Sequence, residues 1–279
     1  MWPLESSARE YLRVGRESLE RWSGRSGRLD CVAHHELPAR AYEHAATAPG
    51  AELQAALRVL YADKPLCGVT LLVESALMPT LLLEAGLELW TPTQMTMLLR
   101  HRRSSLYAKP GATTAAWDVR IDFLAGESHG LGFGMDSSLR YTLVQACSSA
   151  GIKCRALLPA LAWGLNRLQS MRYFPERGWL AWAEQDRLLL TRVEAGRVRS
   201  LNAAAMLTTD SSTIMRQIEI EQLRCGVPPA EAIVATTWNA SPAGQRSTTE
   251  GLIWLDIGRE VEPRAAPDSA LSRKWVRQS

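Results

Sequence analysis

The stretch RGWLAWAEQDRLLLTRVEAGRVRSL, Arg177 to Leu201, alternates apolar and polar residues through three short segments separated by EQD and EAG. A period of two sends successive side chains to opposite faces of an extended backbone, so the spacing predicts three strands joined by tight turns. A helix pattern follows, DSSTIMRQIEIEQLRCG, and then two further strand patterns, EAIVATTW and GLIWLD. This ribbon begins only in the last third of the chain. The question it poses is what precedes it.

Upstream, LDCVAHHEL reads as a strand, AELQAALRVLY as a helix, and CGVTLLVES with MPTLLLEAG as a hairpin-like pair of strands. TPTQMTMLLRHRRSSLY opens on Thr with Pro at the first helical position, both of which favour helix initiation. AWDVRIDFLA alternates Trp117, Val119, Ile121 and Phe123 against Asp118, Arg120 and Asp122, and HGLGFGMD is its expected partner. DSSLRYTLVQACSSAG is a capped helix ending at Gly151, followed by a strand in IKCRALLP and a short helix in ALAWGLNRLQ. Strand ribbon, helix and strand thus occur twice, and the ribbon at Arg177 opens a second lobe built like the first.

Between Ser6 and Trp22 the residues Ala8, Leu12, Gly15, Leu19 and Trp22 recur at alternating four- and three-residue steps. That spacing predicts an amphipathic helix, with SGRSG behind it as a flexible break. The expected organisation is a helix and linker over 1–26, a first lobe over 27–170, a second over 171–262 and a flexible tail over 263–279. The apolar stripe either packs on its own body or, through Leu12, Leu19 and Trp22, docks a partner. The mixed charge around it suits a protein better than an anionic lipid surface.

Composition narrows the function classes. The 279 residues are 46% hydrophobic and 22% charged, with a formal charge of +3, too small for a nucleic-acid surface. Five scattered cysteines without a CxxC argue for reduced thiols rather than a disulfide framework or a zinc site. The start has no basic segment followed by an apolar run, and Glu74, Pro79 and Glu84 interrupt the most apolar window, so neither a secretory signal nor a membrane span is expected. The expected location is cytoplasmic.

The catalytic motifs fail on context. GESHG, Gly126 to Gly130, has the spacing of a nucleophile elbow, but it lies between two strand patterns and no histidine follows His129. A hairpin turn is the better reading, with a Ser128 hydrolase as a remote alternative. In GLGFG, Gly130 to Gly134, the glycines alternate with Leu131 and Phe133, which describes a strand with one bare face rather than a phosphate cradle. His34 and His35 are adjacent on a strand and point to opposite faces, so they do not chelate one metal together. Asp118 and Asp122 share a strand face with Arg120 and form a charge ladder. The densest basic cluster is RHRRS, where Arg100, Arg102 and Arg103 sit late in a helix; it reads as a solvated helix end, with a docking patch for an acidic partner or an anionic lipid surface as the alternative.

The order of elements from Leu29 to Met206 resembles the cytoplasmic domain of the L-type inner-membrane platform protein of type II secretion systems and the PilM-like proteins of type IV pilus assembly. GVTLLVESALMPTLLLEAG, QMTMLLRHRRSSLY, LVQACSSAGIKCRALLPALAWGLNRL and RGWLAWAEQDRLLLTRVEAGRVRSL carry the likeness. The resemblance implies an α/β, two-lobed, actin-like (RNase H-like) fold in degenerate form. It also implies a non-catalytic scaffold that binds protein components of a secretion or pilus inner-membrane platform, with the inner face of that membrane as a candidate location, and with no cofactor and no nucleic acid. The alternative is a divergent actin-like ATPase. In such ATPases a DxG turn between the first two strands of a lobe organises Mg²⁺ and phosphate, whereas the LDIG at Leu255 to Gly258 ends the last strand pattern of this chain.

Overall fold

The segments β9 (Arg177–Ala183), β10 (Arg187–Glu194) and β11 (Arg197–Ala205) form the expected antiparallel meander, with β10 in the middle. Glu194 pairs with Arg197 across the two-residue loop Ala195–Gly196. Both loop residues have positive φ, 52° and 69°, as a type I′ hairpin turn requires. This is a computed structural model describing residues 9–25, 28–38, 41–42, 50–64, 67–83, 91–107, 117–123, 130–170, 173–184, 187–205, 210–226, 233–237, 247–249 and 252–256.

Before the meander come β1 (Arg9–Val14), β2 (Ser18–Arg25), β3 (Arg28–Glu36), α1 (Ala51–Leu60), β4 (Gly68–Val73) and β5 (Thr80–Leu83). They are followed by α2 (Pro92–Tyr107), β6 (Trp117–Phe123), β7 (Gly130–Asp136), α3 (Ser137–Ser149), β8 (Lys153–Pro159) and α4 (Ala160–Ser170). After it come α5 (Ser211–Cys225), β12 (Ile233–Thr237), β13 (Ser247–Thr249) and β14 (Leu252–Asp256). The chain divides into two compact units, one holding Met1–Ser26, Asp30–Ala160 and Leu271–Ser279, the other Gly27–Leu29 and Leu161–Ala270. The division falls at Ala160 rather than at 170, because nearly all of α4 counts with the second unit.

The two main sheets repeat one another. The first unit has the order β3-β2-β1-β4-β8 and the second β11-β10-β9-β12-β14-β13. In each, an antiparallel meander is extended by parallel strands beside its first member: β4 beside β1, and β12 beside β9. A parallel neighbour requires a crossover, which α1 and α5 supply.

The N-terminal segment corrects the expectation. Ser6–Trp22 is not a helix: its described residues form β1, a turn at Gly15 and most of β2, and the SGRSG after it belongs to the end of β2 and the link to β3. The four- and three-residue spacing is also met by a hairpin, in which Val14 opposes Leu19 and Tyr11 opposes Trp22. The described residues of the expected 1–26 appendage are thus part of the first unit's sheet. A second correction concerns GVTLLVES and MPTLLLEAG. β4 lies in the five-stranded sheet between β1 and β8, whereas β5 joins β7 and β6 in a separate three-stranded sheet.

Helix starts follow their caps. Thr91 and Gln94 form a reciprocal capping box at α2, with Gln94 Oε1 accepting from Thr91 N at 2.8 Å and Thr91 Oγ1 from Gln94 N at 3.3 Å. Asp136 caps α3 and Asp210 caps α5, and Gly226 ends α5 in the left-handed conformation. The bare face of β7 serves α2: a Cβ on Gly132 would stand 2.3 Å from Leu99 Cδ2. The tail over 263–279 lies outside the described residues.

In the second unit, Trp179, Ala181, Ala183, Leu188 and Leu190 bury Ile214 and Ile218 of α5. Trp182 points to the opposite face of the sheet, beneath α4. A Cβ on Gly164 would fall 1.9 Å from the Trp182 ring, so α4 approaches that strand as closely as it does only because position 164 has no side chain. Gly164→Ala is expected to lower stability by about 1–3 kcal/mol in urea denaturation, the usual range for overpacking. An unchanged midpoint would show that α4 can move away at no cost.

Candidate functional site

The β1–β2 hairpin carries charge into the interior on both of its faces. Arg13 and Glu20 oppose one another across the hairpin, and Arg13 Nη1 donates to both Glu20 oxygens at 3.0 Å. Arg13 Nη2 is paired with Glu74, which directly follows β4 and is 1% exposed. Glu20 also accepts from Trp22 Nε1 at 3.0 Å, and His34 Nδ1 stands 3.7 Å from it. Burial alone pushes the Arg13 pKa down, but the carboxylates of Glu74 and Glu20 more than reverse this and hold the guanidinium charged.

The hairpin turn is closed around this triad. Gly15 N donates to Ser18 O at 2.9 Å, Tyr42 Oη donates to Gly15 O at 2.7 Å, and Glu74 N donates to Val14 O at 3.0 Å. A Cβ on Gly15 would stand 3.0 Å from Glu74 Oε2, so glycine admits the carboxylate to the turn. The Tyr42 hydroxyl is pushed up by burial and by Glu74, and stays protonated. The second unit repeats the turn, with Glu184 N donating to Arg187 O at 2.9 Å and Glu184 2% exposed.

On the other face Arg21 joins the sheet to the end of α1. It donates to Glu10 Oε2 at 3.1 Å, to the Leu60 carbonyl at 2.8 Å and to Asp63, and its guanidinium lies 4.8 Å from the Tyr61 ring centre. Glu10 also accepts from Lys64 at 2.6 Å and Ser23 at 2.9 Å. Burial raises the Glu10 pKa, but the hydrogen bonds from Lys64, Arg21 and Ser23 outweigh it, so the carboxyl titrates below its ordinary range. A carboxylate depressed in this way stabilises the fold in full above its unfolded pKa of about 4.3 and loses that contribution as pH falls through the folded value. Glu10→Gln is therefore expected to flatten the fall in melting temperature below about pH 4.5. Parallel acid limbs for variant and parent would contradict the assignment.

Each of the carboxylates Glu20 and Glu74 is held by a buried cation, so the arrangement binds strands to one another rather than offering an acid/base pair to a substrate. Among the described residues no group of three His, Cys, Asp or Glu side chains is placed to hold a metal ion. The five cysteines are free. Burial, with Cys154 and Cys67 nearby, pushes the Cys147 thiol up to about 12, and burial with Glu20 pushes Cys31 up to about 11, which keeps both protonated at neutral pH.

The residues singled out in the sequence are not brought together. Leu12, Leu19 and Trp22 are 1%, 0% and 4% exposed and form part of the first unit's core, so no partner reaches them. Arg100 is exposed on α2, while the side chains of Arg102 and Arg103 lie outside the described residues. Ser128 and His129 also lie outside them, but the strands that GESHG joins, β6 and β7, are antiparallel neighbours, whereas an elbow needs a strand followed by a helix. Asp118 pairs with Arg140 of α3 at 2.5 Å, and Asp256 is the last residue of β14. What sequence reading missed is the ionic centre of Glu10, Arg13, Glu20, Arg21 and Glu74. Its one legible signal is the placing of Arg13 and Glu20 at opposite sign about the VGRES turn.

No family model and no curated protein matches the sequence. Solved structures similar to the chain include a Bacteroides thetaiotaomicron protein described as having an actin-like ATPase fold and unknown function, at 13% identity and a TM-score of 0.54, covering 85% of this chain and 84% of that one. The cytoplasmic domain of EpsL, an inner-membrane component of the Vibrio cholerae type II secretion system, is similar at 11% identity and a TM-score of 0.52, covering 82% of each chain. So is a PilM-PilN type IV pilus biogenesis complex, at 13% identity and a TM-score of 0.56, covering 83% of this chain and 82% of that one. The fold is actin-like, as the order of elements implied. Among the described residues no helix is long and apolar enough to cross a membrane.

Proposed function

We propose that the protein is a non-catalytic adaptor of a secretion or type IV pilus-like inner-membrane machine, acting in the cytoplasm through protein contacts. The observation that carries this reading is the filled hairpin turn of the first unit. An actin-like ATPase places its DxG turn between the first two strands of a lobe. Here that turn reads Gly15-Arg16-Glu17-Ser18, and the space beside it holds the Glu74 carboxylate, already neutralised by Arg13. A phosphate brought to Gly15 would have to displace a buried ion pair, at a cost of several kcal/mol in uncompensated charge. The similarity to EpsL and PilM supports a protein partner from such a platform. The basic stretch of Arg100, Arg102 and Arg103 on α2 is the proposed docking patch.

Two measurements test the reading. Calorimetric titration with Mg-ATP is expected to give no heat of binding, and a micromolar dissociation constant would favour the divergent-ATPase alternative. Co-purification with the secretion or pilus platform proteins of its own cell is expected to succeed and to be weakened by Arg100→Glu with Arg103→Glu. Equal recovery of the partner by parent and variant would remove α2 from the interface.

A further inference from the structure

The outer strand of the first unit's sheet has an unusual face. β3 is an edge strand, with β2 on one side and no described strand on the other. Exposed edges normally carry protection against pairing, such as a proline, a bulge or a run of like charge. The nine residues of β3, RLDCVAHHE, contain no proline, and their charges are of both signs. Asp30, Val32, His34 and Glu36 alternate along one face and are all exposed, with Val32 at 50%.

The order of these residues is complementary to itself. When two copies of β3 run antiparallel about Val32, Val32 opposes Val32, Asp30 opposes His34, and Arg28 takes the register position opposite Glu36. Each charged or polar pair occurs twice, and the central pair is apolar. Neighbouring registers lack this property. A pairing centred on Ala33 sets Asp30 against Glu36, and one centred on Cys31 sets Asp30 against the apolar Val32. Like charges directly opposite one another destabilise a ladder, and opposite charges support it, so one register stands out from the alternatives.

We propose that this edge is a self-association surface, on which a second copy of the chain pairs through β3 in antiparallel fashion about a two-fold axis at Val32. Such a contact is isologous, and it closes at two copies because each β3 has one edge with no described strand beside it. The pairing joins the two five-stranded sheets into one. It does not depend on the adaptor reading, since neither the docking patch nor the hairpin turn takes part.

Sedimentation of the full chain across a range of concentrations is the test. The parent is expected to move from the mass of one chain to that of two as concentration rises. Val32→Lys, at an exposed position, is expected to stay at the mass of one chain with an unchanged melting curve. The register is read separately, in a background of Cys31→Ser and Cys225→Ser that removes the two exposed thiols. With oxidised glutathione accepting two electrons and two protons from the thiol pair, Val32→Cys is expected to give a disulfide-linked dimer, while Glu36→Cys, far from its counterpart, is not. A parent that remains a single chain at its highest soluble concentration overturns the proposal. So does a dimer that persists in Val32→Lys, or one that crosslinks at 36 and not at 32.

Discussion

A chain lacking residues 1–24 is expected to lose the fold of its first unit. The deletion removes β1, which lies between β2 and β4 in the sheet, and all of β2 but its last residue. β4 then loses its parallel partner over Glu10 to Val14 and becomes an edge. Leu12, Val14, Leu19 and Trp22 are each at most 4% exposed. At about 1.5–3 kcal/mol for each buried side chain, their loss is on the order of 10 kcal/mol. That is comparable with the 5–15 kcal/mol that typically holds a whole domain together. Glu74 would also be left buried without Arg13. Hydrogen exchange would show the result directly, with fast exchange at the amides of β4 and protection retained in β9 and β10. A truncated chain that melts like the parent, with β4 still protected, would mean that the hairpin is dispensable.

Arg13→Ala is expected to cost about 3–5 kcal/mol in urea denaturation, the range found when one partner of a buried ion pair is removed. The loss comes less from the missing attraction than from leaving Glu20 and Glu74 charged in an interior that no longer compensates them. A combined Arg13→Met, Glu20→Gln and Glu74→Met variant should regain much of the loss, because the charges go together while Gln still accepts from the Trp22 indole. If Arg13→Ala unfolds at the parent's midpoint, the triad is not what holds β1, β2 and β4 in register. If the triple variant is no better than the single one, lost packing by the arginine stem outweighs charge.

The meander of the second lobe was legible because its strands are runs of strand formers bounded by turn residues. RGWLAWA and RLLLTRVE form central strands covered on both faces, and EAG supplies a turn with Gly where φ must be positive. Capping residues, Thr91, Asp136 and Asp210, fixed where three helices start, since that chemistry is local. The first hairpin was not legible. REYLRVGRESLERWSGR has charges at many of the positions that face the interior, and a hydrophobic period treats Arg13, Glu20 and Arg21 as solvent-facing. Only the cross-strand register makes them interior residues, because Glu20 and Glu10 neutralise them within the hairpin, while Glu74, Asp63 and Lys64 arrive from more than forty residues away. Likewise, adjacency in the sequence suggested that β4 and β5 pair, whereas each found its partners in a different sheet. By itself the sequence determined the order of strands and helices from Leu29 to Met206 and the places where helices begin, because these follow from backbone propensity and short-range hydrogen bonding. The tertiary structure alone decided which charges are buried, which strands are neighbours and which strand stands outermost among the described ones, because these depend on contacts between segments far apart in the chain.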